Sequence, residues 1–289
     1  MPLIDDSISS LLRLPLELRL QIYSYLLPSQ SEKQSFECHW SITKAGISQC
    51  DAPHRSVSVL HIRTMEPKYF CTLSPKLSHR YLVRDFRGRA AYTTFELSPR
   101  PSLHPNILAT SRALHAETAP LLYSHPIFDF ETCVEAVVPF FSSLRPETRD
   151  VIRNVRVTKT PQCYDKEFDR AEWDAAMEGL ATIDLERLEL VVIAGKPARM
   201  PGVRGVVEGQ EEEIKPYDDE EWPGLMEAEG FEWVRGLVSI KGLKEVRIIK
   251  AEGHAPPAVS KGLERWVRFS ASVEGSFARY LQKKMVGEA

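Results

Sequence analysis

Between residues 132 and 249 the chain repeats one order three times: a stretch that is apolar at helical spacing, then a short run of β-branched and aliphatic residues. Residues 132–144 precede Val151, Ile152, Val155 and Val157; residues 168–183 precede Leu188, Leu190, Val191, Val192 and Ile193; residues 225–240 precede Leu243, Val246, Ile248 and Ile249. Successive strands separated by a helix cannot be joined by a tight turn, so they pair in parallel through crossover connections. This alternation predicts a helix-strand α/β half over residues 131–289. The stretch 194–223 interrupts it with Gly, Pro and eight acidic residues that repel one another, which predicts a solvent-exposed acidic loop. Residues 259–285 carry Leu263, Trp266, Val267, Phe269, Val273, Phe277 and Leu281 at near-helical spacing and predict a closing helix.

The first 130 residues read differently. Residues 57–62, 69–73 and 91–97 are short β-branched or aromatic runs separated by Pro53, Pro67, Pro75 and Gly88, the pattern of antiparallel hairpins. A second helix is predicted over residues 106–123, with Asn106 as N-cap and a kink or stop near Ala119 imposed by Pro120. The strand Ile127-Phe128-Asp129-Phe130 follows it. The fold class expected is α+β: an N-terminal helix with an antiparallel β-hairpin region in residues 1–130, then the α/β units of residues 131–289.

The N-terminal helix has the best-marked boundaries. Pro15 suits a first turn, where its missing N–H costs nothing, and Pro28 cannot continue a helix, so residues 15–27 form one. At 100° per residue, Leu18, Ile22, Tyr25 and Leu26 fall on one arc and Leu16, Leu20, Tyr23 and Leu27 on another, with Glu17, Gln21 and Ser24 on a polar strip. A surface helix needs only one apolar stripe. The second stripe faces either more of its own protein or another protein.

Composition narrows the function. With 43% hydrophobic and 27% charged residues the chain is an ordinary globular one, and a net charge of −3 argues against nucleic acid or acidic membranes as partners of the whole surface. Any such binding has to be local. Arg80, Arg84, Arg87 and Arg89 around Tyr81 and Phe86 form one local candidate, which also reads as a solvated hairpin. Five unclustered cysteines, no N-terminal leader pattern and no long apolar run predict a cytoplasmic or nuclear protein without a membrane span.

No nucleophile or phosphate-binding motif is present, and no catalytic residue or cofactor is predicted. His115-Ala116-Glu117 has the His-x-Glu of zinc deaminases but lacks the companion Pro-Cys-x-x-Cys. Cys38, His39, Cys50 and His54 are zinc-ligand types at a spacing that fits no known finger, so no metal is predicted either.

The run Leu14-Pro15-x-Glu17-Leu18-x-x-x-Ile22-x-x-x-Leu26 resembles the first helix of an F-box, the module that docks a substrate receptor onto the Skp-type adaptor of a cullin-RING ubiquitin ligase. It also resembles the opening of fungal F-box-like and two-EXR proteins. Glu17-Leu18-Arg19 matches the first EXR element, and residues 107–130 resemble the second block, without a clean Glu-x-Arg. The residues after Pro28 do not continue as an F-box would. Leu185-x-x-Leu188-x-Leu190 resembles a leucine-rich-repeat strand, although unequal unit lengths leave a degenerate repeat and a small open sheet both open. The resemblance implies a non-catalytic protein-interaction module in which Leu14, Pro15, Leu18, Ile22 and Leu26 form a ridge for a Skp-type adaptor. The alternative is a scaffold protein whose F-box-like helix is buried in its own core.

Overall fold

Residues of period two on both sides of residue 130 meet in one sheet. The computed structural model describes residues 10–26, 39–43, 46–49, 59–70, 79–84, 88–98, 107, 110–161, 167–194, 215–228, 230–251 and 261–286. Its strands are β1 (His39–Thr43), β2 (Gly46–Gln49), β3 (Val59–Thr64), β4 (Tyr81–Arg84), β5 (Ala90–Thr93), β6 (Phe95–Ser98), β7 (Ile127–Asp129), β8 (Asn154–Lys159), β9 (Arg187–Ile193) and β10 (Glu245–Ala251). Its helices are α1 (Leu16–Leu26), α2 (Pro67–Phe70), α3 (Arg112–Ser124), α4 (Val137–Ser143), α5 (Pro146–Arg149), α6 (Glu167–Ala181), α7 (Trp222–Leu225), α8 (Glu232–Leu237), α9 (Lys261–Ser272) and α10 (Ser276–Leu281).

Among the described residues eight strands make one mixed sheet in the order β2-β1-β10-β9-β8-β7-β3-β6, and β4 and β5 form a separate antiparallel pair. The central pairs β3–β7, β7–β8, β8–β9 and β9–β10 are parallel, as the helix-strand alternation requires. Strands β7 to β10 lie side by side in chain order, so this half is wound in one direction. The fold is a mixed α+β one. A boundary at residue 130 divides the chain but not the sheet, because β1, β2, β3 and β6 come from one side of it and β8, β9 and β10 from the other.

The pleat separates two rows. Phe128, Val155, Leu188 and Val246 are register partners, all nearly inaccessible, and share one core with α4, α6, α8, α9 and α10. That layer is dense in aromatics: Trp222 lies 5.1 Å from Phe277 and Trp173 5.8 Å from Trp233, centroid to centroid. The Trp173 indole N–H donates to the Trp233 carbonyl at 2.8 Å, which ties α6 to α8. Such rings bury the most apolar area per residue, so the folding free energy is concentrated here.

Several expectations are corrected. Residues 69–73 were expected to be extended, but Tyr69 and Phe70 belong to helix α2, started by Pro67 in the first helical position, and residues 71–73 lie outside the described residues. The expected strand 57–62 is β3, which sits inside the main sheet, parallel to β7, instead of in a hairpin. The run 91–97 is split by Thr94 between β5 and β6, which belong to different sheets. Helix α3 begins later than expected, with Ser111 as its N-cap accepting from the Leu114 N–H at 3.2 Å; Asn106 lies outside the described residues. It also runs through Pro120 to Ser124, since the exposed proline ring faces away from the core that Leu122 enters. The acidic loop is shorter than expected. Residues 195–214 lie outside the described residues, but Tyr217 and Trp222 are buried, Asp219 is paired with Arg279 and Glu221 with Arg268.

Candidate docking surface

Helix α1 packs on α3 through a small cluster in which Tyr23, Ile107, Leu114 and Leu122 are buried, with Leu11, Leu12 and Leu26 against them. Around the helix, Arg19, Tyr23 and Leu26 fall within one 60° arc, and this arc faces α3. An arginine in the middle of an inward arc needs partners. Glu117 of α3 supplies them: Arg19 Nε and Nη2 donate to its two carboxylate oxygens at 3.0 and 2.8 Å, a fork-to-fork pair. Arg19 Nη1 also donates to the Leu12 and Leu14 carbonyls, both at 2.9 Å, which ties down the turn that precedes the helix. The Tyr23 hydroxyl donates to the same Glu117 carboxylate at 2.8 Å. Burial, and then this carboxylate, push the Tyr23 phenol up to about 12.

Glu117 therefore joins the two blocks that carry the F-box-like resemblance. Its sequence neighbour His115 takes no part in this contact, and the His-x-Glu pattern is served by a structural glutamate. The signal was present in the sequence, since Arg19 lies between Tyr23 and Leu26 on the helical wheel, but its partner is 98 residues away.

The anchored arc determines what α1 leaves outside. Leu18 remains 47% exposed and Tyr25 76%, on one flank; Leu16 remains 47% and Leu20 38%, on the other. Of the ridge expected from sequence, Pro15 and Leu18 are exposed, while Leu14, Ile22 and Leu26 are half-buried, Leu26 against the small cluster. The five residues thus straddle the boundary between the α3 contact and solvent. Four large apolar side chains on one short helix are more than scattered surface hydrophobics.

A second polar construction crosses the opposite face of the sheet from the aromatic layer. His61, Asp129, Arg156, Glu189 and Arg247 are successive register partners on β3, β7, β8, β9 and β10, alternating in charge type strand by strand. Arg156 Nε donates to Glu189 at 2.7 Å and its Nη1 lies 3.3 Å from Asp129; His61 Nδ1 is 3.4 Å from Asp129 and 3.0 Å from Glu131. Arg187 pairs with Glu189, and Arg247 with Glu245 at 2.7 Å. The hydrogen bond that His61 donates to Asp129 outweighs burial and raises the His61 pKa above its ordinary value. Asp129, Arg156 and Glu189 are nearly inaccessible, so every charge has to be matched. Four arginines, counting Arg63, stand against Asp129, Glu131, Glu189 and Glu245, and the row is balanced. The matched charges hold the five strands in register.

His39 lies in β1, while Cys38, Cys50 and His54 lie outside the described residues. Among the described residues no three His, Cys, Asp or Glu are grouped as metal ligands, and no helix is long and apolar enough to cross a membrane. No curated protein and no solved structure matches the chain. A family model described as "Domain of unknown function (DUF7730)" matches residues 5–201, which takes in α1, the Arg19–Glu117 clasp and the sheet as far as β9. The chain belongs to that family.

Proposed function

We propose that this protein is a non-catalytic interaction module, an F-box-like receptor that presents α1 to a Skp-type adaptor in the cytosol or nucleus and selects a target through its α/β half. One observation carries the reading: a helix fixed on its inner arc by the Arg19–Glu117–Tyr23 clasp keeps Leu16, Leu18, Leu20 and Tyr25 in solvent. Burying a leucine of this kind contributes ~2 kcal/mol, so a few of them suffice for a specific contact. The test is capture of the full chain by purified Skp-type adaptor, comparing the wild type with Leu18→Ala and with Leu16→Ala/Leu20→Ala. Loss of capture in Leu18→Ala, with circular dichroism unchanged, supports the ridge that includes Pro15 and Leu18. Loss only in the double variant moves the contact to the other flank. A wild type that is never captured ends the adaptor reading.

The second reading, a scaffold whose α1 serves its own core, is favoured by the burial of Tyr23 and the half-burial of Ile22 and Leu26. It predicts no adaptor capture, and a loss of stability from Leu26→Ala.

A further inference from the structure

Helices α6 and α8 pack against each other through the Trp173–Trp233 pair and leave an open groove of about 520 Å³ between their outer edges. Asp174, Glu178 and Ala181 line it from α6, where i, i+4 and i+7 share one face; Glu232, Arg235 and Gly236 line it from α8. Gly236 sets how near the helices come. A Cβ there would stand 3.3 Å from Asp174 Oδ1 and 3.4 Å from the Met177 side chain, and its absence permits the close approach.

The charges in the groove do not balance. Glu232 accepts from the Gly230 N–H at 2.8 Å and lies 3.9 Å from Arg170. Asp174 and Glu178 are exposed and have neither a hydrogen bond nor an ion pair among the described residues. Arg235 is the single cation in the lining. Two local rules are broken at Glu178. It sits one turn from a like charge, and it lies in the last turn of α6, where a carboxylate opposes the helix dipole and no basic residue offsets it. The core face of α6, made by Trp173, Ala176, Met177 and Leu180, gains nothing from either carboxylate.

We propose that the α6–α8 groove binds a basic segment of a protein partner, one with two Lys or Arg side chains roughly 5–6 Å apart, the separation of neighbours one turn apart on a helix. The methylene stems of these side chains lie along the floor at Ala181 and Gly236, and their charged heads reach Asp174 and Glu178. A phosphate backbone is repelled by the same carboxylates. The inference rests on the reading of the α/β half as the part that selects a target, and it makes that contact electrostatic and sensitive to salt. It uses no residue of α1.

The experiment is fluorescence anisotropy of the full chain with a labelled alanine-based peptide of about fifteen residues that carries lysines at i and i+4, long enough to form helix. The same peptide with glutamate at those positions is the comparison. Saturable binding is expected for the lysine peptide alone, weakening as salt is raised from about 50 mM to about 500 mM. Asp174→Asn/Glu178→Gln should weaken it roughly threefold to tenfold. Glu220→Gln/Glu227→Gln removes the same charge from exposed positions outside the groove and should leave binding within about twofold of the wild type. All four positions are exposed, so unchanged circular dichroism is the folding control. The proposal is overturned by an absence of saturable binding, by a groove variant that binds like the wild type, by a control variant that loses as much, or by spermine competing as well as unlabelled peptide. Adaptor capture is followed in parallel. A chain that binds the peptide without capturing the adaptor loses the receptor reading and keeps the groove, and one that captures the adaptor but ignores the peptide loses the groove alone.

Discussion

The two helical regions of this molecule are held by different physics. On the sheet, α6, α8, α9 and α10 bury Trp173, Trp233, Phe269 and Phe277 in one continuous core. At the other end, α1 and α3 share a cluster with four buried members and depend on Glu117 for the rest. Apolar burial is non-directional and tolerates small shifts, whereas a bidentate carboxylate fixes both distance and rotation. A helix that needs little apolar area for its own attachment can leave leucines for something else. The aromatic layer makes the molecule stable, and the clasp sets the orientation of a surface.

The largest expected effect lies in the aromatic layer. Phe277→Ala should cost about 3–5 kcal/mol in urea-induced unfolding, because the neighbours Trp222, Trp233 and Phe269 cannot close over the cavity. Arg156→Leu should approach that figure at most, at about 3 kcal/mol, by removing the guanidinium that buried Asp129 and Glu189 share, which leaves Asp129 to His61 and Glu189 to Arg187. Glu117→Ala should cost less, about 1–3 kcal/mol, and locally: hydrogen exchange should accelerate in α1 and α3 while the amides of β8 and β9 stay protected. If Glu117→Ala instead loosens the whole sheet, the division into two regions fails. If Phe277→Ala leaves the exchange of α1 untouched, the division is sharper than the shared sheet suggests.

The smallest effect is one of pH. Burial, with Glu135 and Asp169 nearby, raises the Glu172 carboxyl to about 7. Its folded pKa exceeds its unfolded value, so ionisation opposes folding: stability is highest below the unfolded value and falls as pH rises through about 7. Glu172→Gln should therefore leave the melting temperature unchanged near pH 4.5 and raise it at pH 8. Glu172 is partly exposed, which keeps the gain modest. A gain equal at both pH values would mean that packing, and not charge, is responsible.

The parallel half was legible in the sequence because its signal is local: a helical period, then a β run, repeated three times. Helix α1 was legible for the same reason, bounded by Pro15 and Pro28. What escaped depends on distance. The split of residues 91–97 between two sheets is decided at Thr94, whose backbone carbonyl accepts from the Met65 N–H at 2.9 Å, and no propensity encodes that contact. Helix α3 outlasted Pro120 because tertiary packing of Leu122 overrides a local breaker. The acidic stretch looked uniformly solvated until Tyr217 and Trp222 are weighed as anchors at its end. In the candidate site, the exposed leucines could be expected from two apolar arcs on one helix, but which arc turned inward was set by Arg19 and a glutamate 98 residues away.

The order of strands also bears on synthesis. Strand β1 pairs along its length with β10, from Thr43 with Glu245 to His39 with Ile249, so it waits for more than two hundred residues to be made. At ordinary translation speeds of about 5–20 residues per second, that wait lasts on the order of 10–40 s. The contact is also of high sequence separation, the kind that slows folding. Strands β7, β8 and β9 can assemble in the order in which they emerge, but the outer edge of β1 has to remain unpaired until β10 leaves the ribosome. The nascent chain is thus most exposed to edge-to-edge association at β1 and β2, and completion of the sheet acts as a late check that β10 has been made.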